Sequence, residues 1–247
     1  MEIGLKVWSI NLDYLESINY IVANRLCDYI ELYVVPGTIK YIDFWKQFNI
    51  KYVLHAPTTL HGLNPADGMI DKNLKIYSEV LDFAKELFPA HIIIHGGMGG
   101  ELRHSMEFFS LIDTSIVVVE NMPFLSLDDR ICIGYSYEQL KLIIDKCGTG
   151  FCFDIGHAIK YASYGKIDPY DVLKELQQLS PLLYHISDGH YDNPYDEHLS
   201  IGEGDFDFRR IFEILDKNKL LTLETPKESS LFHTSFIHDR ESLNKFF

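Results

Sequence analysis

His55, His95, Glu120, Asp154, His157, His185, Asp196, His198 and Glu224 stand in the contexts HAP, IIIHGG, VVVEN, FDIGH, YHISD, DEHLSIGEG and LTLET. One apolar run after another ends abruptly on an imidazole or a carboxylate. A single His or Glu after a strand is usually a satisfied surface or core residue; the recurrence in register is what points to chemistry. Imidazole and carboxylate together suit Zn²⁺, Mn²⁺ or Fe²⁺, and a ligand set without cysteine suits a catalytic rather than a structural site. Glu120 follows SIVVV, where a carboxylate is costly to bury without a cation or hydrogen-bond donors, and it is placed to bridge two ions. Glu224, after LLTL, repeats the pattern. Asp196 and His198 lie two apart, which in an extended loop puts both side chains on one face. Asp154 and His157 are three apart, where a strand is expected to enter a loop, so that they diverge toward neighbouring ions. Glu120, Glu224 and His157 are the catalytic candidates.

The elements that must position these groups alternate. Strands are expected at 4–8, 29–34, 52–56, 91–95, 115–120, 150–155, 182–187 and 220–224, continuous apolar runs rich in Ile, Val, Leu and Tyr, as parallel strands covered by helices read. Helices are expected near 12–26, 39–48, 72–88, 101–112, 136–146, 169–179 and 207–217, with a short one near 239–246. Eight β–α alternations predict a single (β/α)8 TIM barrel over residues 1–247, whose chemistry gathers at the C-terminal rim of the strands. A doubly wound sheet is disfavoured because no GxGxxG opens a helix, and HGGMGG at 95–100 has the wrong spacing.

The length of 247 residues fits one such barrel, and no low-complexity or proline-rich stretch interrupts it. With 36 acidic against 22 basic side chains, the net charge of −14 disfavours undirected attraction to nucleic acid or anionic membrane. No run reaches the length of a membrane span, and MEIGLKVWSINLD lacks the marks of a secretory leader. Cys27, Cys132, Cys147 and Cys152 lack CxxC spacing and read as small core residues. A reduced, cytoplasmic setting is expected. His61, His104, His190, His233 and His238 read as surface residues, and His91 as a structural residue at the opposite barrel face. Arg103, Arg130, Lys160 and Lys166 are the rim cations expected to bind a small anionic substrate.

The order HAP, HGG, EN, DxGH, HxSD, DxHxxxGxG and LET resembles the endonuclease IV type of metal site within the xylose-isomerase-like barrels. The resemblance runs from the third strand to the eighth. It implies two or three divalent ions, Zn²⁺ first and Mn²⁺ or Fe²⁺ as alternatives. It assigns one ion to His55, His95 and Glu120, a second to Glu120, Asp154, His185 and Glu224, and a third to His157, Asp196 and His198. The second set alone is also what single-metal sugar isomerases and epimerases of the superfamily use.

Departures from the repair pattern narrow the substrate. Thr58 stands where the repair enzymes carry an aromatic wedge, and the stretches 56–71 and 186–208 contain no Lys or Arg. Phosphate contacts dominate affinity for DNA, so duplex DNA is doubtful as a substrate. The expected activity is hydrolysis of a small phosphoester, in which divalent ions polarise the ester and activate water. The alternative is a sugar or sugar-phosphate isomerase in which Glu120 and Glu224 trade protons with substrate carbons. A non-enzymatic metal-binding barrel is the third possibility, and the number of ligands argues against it.

Overall fold

In the computed structural model, which describes residues 1–227 and 229–246, the apolar runs form parallel strands that close in sequence order. The strands are β1 (Glu2–Trp8), β2 (Tyr29–Tyr33), β3 (Lys51–His55), β4 (Ile92–His95), β5 (Val117–Glu120), β6 (Gly150–Asp154), β7 (Leu183–Ile186) and β8 (Leu220–Leu223). β1 pairs with both β2 and β8, which completes the barrel. Around it run α1 (Leu15–Ala23), α2 (Ile42–Lys46), α3 (Ile70–Leu87), α4 (Leu102–Ser110), α5 (Tyr137–Cys147), α6 (Ile155–Gly165), α7 (Pro169–Gln177), α8 (Phe208–Phe212) and α9 (His233–Leu243). Local signals set many boundaries. Ser136 caps the start of α5 and Gly148, at φ +71°, ends it; Asp168 caps α7 with Pro169 in its first turn.

Three helical expectations are corrected. The stretch after β6 is no loop: Asp154 is the N-cap of α6, its Oδ1 accepting the His157 N–H at 2.7 Å. IGHAIKYASYG is apolar enough to be buried along Ile155, Ala158, Ile159 and Ala162, which hides a helix behind what reads as the tail of a strand. The helix near 207–217 ends at Phe212, and the terminal helix begins at His233 rather than near 239. Among the described residues, no helix is long and apolar enough to cross a membrane.

The barrel interior explains where the ligands fall. Side chains alternate across a strand with period two. Tyr29, Val53, Ile93, Val118, Cys152 and Leu183, with Leu220 against them, form a buried layer inside the barrel. Two residues further toward the C-terminal rim come Glu31, His55, His95, Glu120, Asp154, His185 and Thr222. An apolar floor thus carries a polar layer directly above it. Gly4 makes room for the floor: a Cβ there would meet the Tyr29 ring at 2.3 Å.

Candidate metal centre

Register brings the ligands together before any loop is considered. His95 lies beside Glu120 across β4 and β5, and Asp154 beside His185 across β6 and β7. Glu120 divides its carboxylate: Oε2 lies 3.2 Å from His55 Nε2 and 3.1 Å from His95 Nε2, while Oε1 lies 3.4 Å from His185 Nδ1 and 3.4 Å from His157 Nδ1. Glu224 divides in the same way, with Oε1 2.6 Å from His185 Nδ1 and Oε2 3.1 Å from His198 Nε2. Asp196 Oδ2 lies 3.4 Å from His157 Nε2 and 3.1 Å from His198 Nε2. All nine sequence candidates therefore meet in one cluster. Among the described residues the ligand atoms fall into the groups His55, His95 and Glu120; Glu120, Asp154, His185 and Glu224; Asp154, His157 and His198; and, drawing in two residues beside the cluster, Glu120, Cys152 and His185; and Glu31, His55 and Glu224.

Asp196 and His198 come from the loop after β7, which Asp188 folds. Its backbone pairs with Leu199 in both directions, and its carboxylate accepts the N–H groups of Gly189, Gly202 and Phe206. His198 adopts φ +49°, a conformation a histidine holds only when its surroundings impose it.

Neighbouring groups fix which ring nitrogen faces the cluster. His55 Nδ1 donates to the Ala56 carbonyl at 2.7 Å and His157 Nδ1 to the Asn121 carbonyl at 2.8 Å, so each directs Nε2 inward. Asn121 also spans to β6, donating to the Asp154 carbonyl at 2.8 Å and accepting the Asp154 N–H at 2.7 Å. His185 is turned the other way: its Nε2 donates to Glu31 Oε2 at 2.8 Å, which leaves Nδ1 for the cluster. Backbone carbonyls and carboxylates that orient ligating histidines are a usual feature of metal sites.

Glu31 and Lys6 are absent from the sequence candidates, yet both sit against the cluster. They are cross-strand neighbours on β1 and β2, with Lys6 Nζ 3.1 Å from Glu31 Oε1 and in contact with Glu224 Oε1. Glu31 Oε2 also accepts from Thr222 Oγ1 at 2.7 Å. The signal that singled out Glu120, a charge inside an apolar run, was equally present in YIELYV and GLKVW.

Divalent ions fit this donor set. His185 Nδ1 and His198 Nε2 are buried atoms without a hydrogen bond, although carboxylate oxygens lie at 2.6 and 3.1 Å. A cation or a proton between such atoms relieves the repulsion between lone pairs. Burial opposes charge on His157 and His185, but Asp154 and Asp196 around the first, and Glu224 and Glu31 around the second, hold both well above the ordinary imidazole value. Burial likewise opposes charge on His198, which Asp196 and Glu224 lift to about 9. Metal ions would take the place of those protons. Burial pushes the neighbouring Cys152 thiol up, so it offers no thiolate.

The cluster forms one end of a cavity of about 560 Å³. Arg103, Arg130, Lys160 and Lys166 are not brought to it. Arg103 pairs with Glu101 and Arg130 with Asp128 on the surface, Lys160 is buried against Glu197 and the His190 carbonyl, and Lys166 is exposed at the end of α6. The lysines lining the cavity among the described residues are Lys6 and Lys227. Of the remaining histidines, His61 accepts or donates to Tyr33 OH at 2.9 Å and packs edge-on against Trp8, His190 pairs with Glu197, and His91 precedes β4 at the far end of the barrel. Cys27, Cys132 and Cys152 are buried and Cys147 half-buried, all as free thiols.

Comparison with known proteins agrees with this architecture. Residues 39–245 match the family described as xylose isomerase-like TIM barrel. An uncharacterized protein of Methanocaldococcus jannaschii is 30% identical over 76% of this chain and 67% of its own length. Among solved structures, endonuclease IV from Thermus thermophilus superposes with a TM-score of 0.72 at 17% identity, covering 99% of this chain and 100% of that one. A mutant tryptophan synthase alpha-subunit from Pyrococcus furiosus superposes with a TM-score of 0.54 at 11% identity, covering 99% and 98%. At such identities the likeness is one of fold, and one fold hosts many activities.

Proposed function

Because the chain belongs to the xylose isomerase-like TIM barrel family, we propose that its rim cluster is a multinuclear divalent-metal centre that hydrolyses a small phosphoester. The observation that carries this reading is that His157, Asp196 and His198, in mutual contact through the Asp196 carboxylate, line the same cavity as Glu120 and Glu224. A single-metal isomerase has no use for the additional ligands. When bound, the ions polarise the phosphoryl oxygens and make water a better nucleophile.

The protein's own groups complete the site. Lys6 and Lys227 supply positive charge to the anionic ester, and Lys6 holds Glu224 Oε1 in place. Glu224 Oε2, on the His198 side, accepts the proton of the attacking water. The water oxygen bonds to phosphorus, the ester P–O bond breaks, and the leaving oxygen takes its proton from solvent. Glu120 shares its two oxygens between ligand groups and His157 anchors the third group through Asn121. Asp188, which builds the loop, keeps Asp196 and His198 in register with both.

The second reading, a sugar or sugar-phosphate isomerase, is favoured by the convergence of Glu120, Asp154, His185 and Glu224 into one four-ligand group. His198→Ala separates the two. For phosphoester cleavage it lowers turnover by at least about a hundredfold, the scale of losing one transition-state stabiliser. For isomerisation it leaves most activity. The readouts are phosphate release from sugar phosphates and diesters, and solvent deuterium uptake beside a ketose carbonyl. Uptake by both wild type and variant, with no phosphate released by either, overturns the hydrolase reading.

A further inference from the structure

The cavity beyond the metal ligands has a wall suited to a flat ring. Trp8 ends β1, Tyr33 ends β2 and His55 ends β3, and their rings follow one another from the rim inward. Trp8 stacks on Tyr33 at 4.9 Å and 28°, and Tyr33 meets His55 at 5.3 Å and 35°. Tyr33 is held in place by its hydroxyl, which accepts the Thr58 N–H at 2.8 Å. In a closed barrel taken in sequence order β5 lies opposite β1, and most cavity residues that follow β5 are apolar, Met122, Pro123, Leu125 and Leu127, with Ser126 and Cys132 beside them. Trp8 keeps 36% of its surface open and Leu127 77%. Trp8 packs on Tyr33 and His61 and keeps the rest of its surface open, and both Trp8 and Leu127 border the cavity. The charged end of the same cavity carries Lys6, Lys227 and the ligand cluster.

We infer that the substrate is a small phosphoester with an aromatic or similarly planar group, the phosphoryl end lying at the metal ligands and Lys6, the ring between the Trp8–Tyr33 wall and the β5 loop. Its anionic end rests on the phosphoester reading, while its planar end rests on the aromatic wall alone. A cavity of about 560 Å³ is within the usual range for a small-molecule site, and aromatic rings stack on any flat π-face without regard to its substituents. The loops that border the cavity at 56–71 carry no cation to follow a polymer backbone. The wall therefore favours a compact ring-bearing ester over an extended strand.

The chain has two tryptophans, and Trp45 is fully buried, so fluorescence changes on ligand addition report on Trp8. Metal-loaded wild type and variants are titrated by calorimetry, with Trp8 fluorescence as a second readout in wild type, using phenylphosphonate and methylphosphonate, which present the same anion with and without a ring. Phenylphosphonate is expected to bind at least about tenfold more tightly, the scale of one stacked ring, and to quench the fluorescence. Trp8→Ala removes most of that preference while methylphosphonate affinity stays within about twofold, and Leu127→Ser, on the exposed side of the slot, weakens it in part. Equal affinity of the two phosphonates for wild type, or an undiminished preference in folded Trp8→Ala, overturns the inference. Phosphoester cleavage without ring preference would sink the ring site and leave the proposed function standing. Ring preference with no cleavage of any ester would do the reverse.

Discussion

Replacing Glu31 by Gln tests whether the buried charges beneath the ligands hold them in place. Glu31 accepts from His185 Nε2 at 2.8 Å and from Thr222 at 2.7 Å, and its other oxygen lies 3.1 Å from Lys6 Nζ. Burial works against its ionisation, but His185 and Lys6 more than offset this and hold the carboxyl at about 2. An amide oxygen can still accept from His185, so ring orientation is weakened rather than lost. Metal affinity should therefore fall by about tenfold, the lower end for removing a group that orients a ligand. Lys6, with a side chain only 15% exposed, keeps Glu224 as its remaining carboxylate. The stability loss should accordingly be near the low end for breaking a buried pair, about 3 kcal/mol. For a chain of this size that lowers Tm by roughly 6–12 °C. Chelator competition gives the affinity and calorimetry the stability, both on wild type and variant. Adding Lys6→Met should restore part of the lost stability, because no ammonium is then left buried with only one of its two carboxylates. Affinity unchanged within twofold, with Tm also unchanged, would refute the claim that Glu31 positions His185.

Two further outcomes follow from the rim. Duplex DNA containing an abasic site should be cut poorly or not at all in a low-salt nicking assay with Zn²⁺ or Mn²⁺, because Thr58 replaces an aromatic wedge and the loops 56–71 and 186–208 lack cations; efficient site-specific incision would show that those loops bind a backbone after all. Burial draws the half-buried Lys227 ammonium down to about 8 against the pull of Glu224 and Asp239. A base is charged below its pKa, so phosphonate affinity should drop by at least about tenfold as pH rises through 8, the scale of one hydrogen bond to a charged group. Lys227→Met should flatten that limb of the pH profile, and an unchanged profile in the variant would assign it elsewhere.

His55, His95, Glu120, Asp154, His185 and Glu224 were legible because each interrupts an apolar run where a strand reaches the rim, and the parallel register then made neighbours of His95 and Glu120, and of Asp154 and His185. Lys6 and Glu31 were harder to see. They stand two residues before their strands end, inside GLKVW and YIELYV, where a lone charge resembles a solvent-facing strand residue until the barrel closes and turns it inward. Helix α6 was hidden for the opposite reason: it is apolar on almost every side and follows its strand without a break. The misplaced rim cations had local partners in view, Glu101 two residues before Arg103 and Asp128 two before Arg130. Sequence spacing shows such short-range pairs, but it does not show which distant loops border the same cavity, and that is what brings Lys227 and Trp8 to the site.

If Glu120 and Glu224 hold several ions side by side, the metal content of the protein shows it. Elemental analysis of fully loaded protein, with anomalous scattering from crystals to locate each element, should find two or three divalent ions per chain, one on either side of the Glu120 carboxylate. Glu120→Gln should lose more than one of them, because it removes a charge shared between ligand groups. No more than one ion in fully loaded wild type would contradict the account.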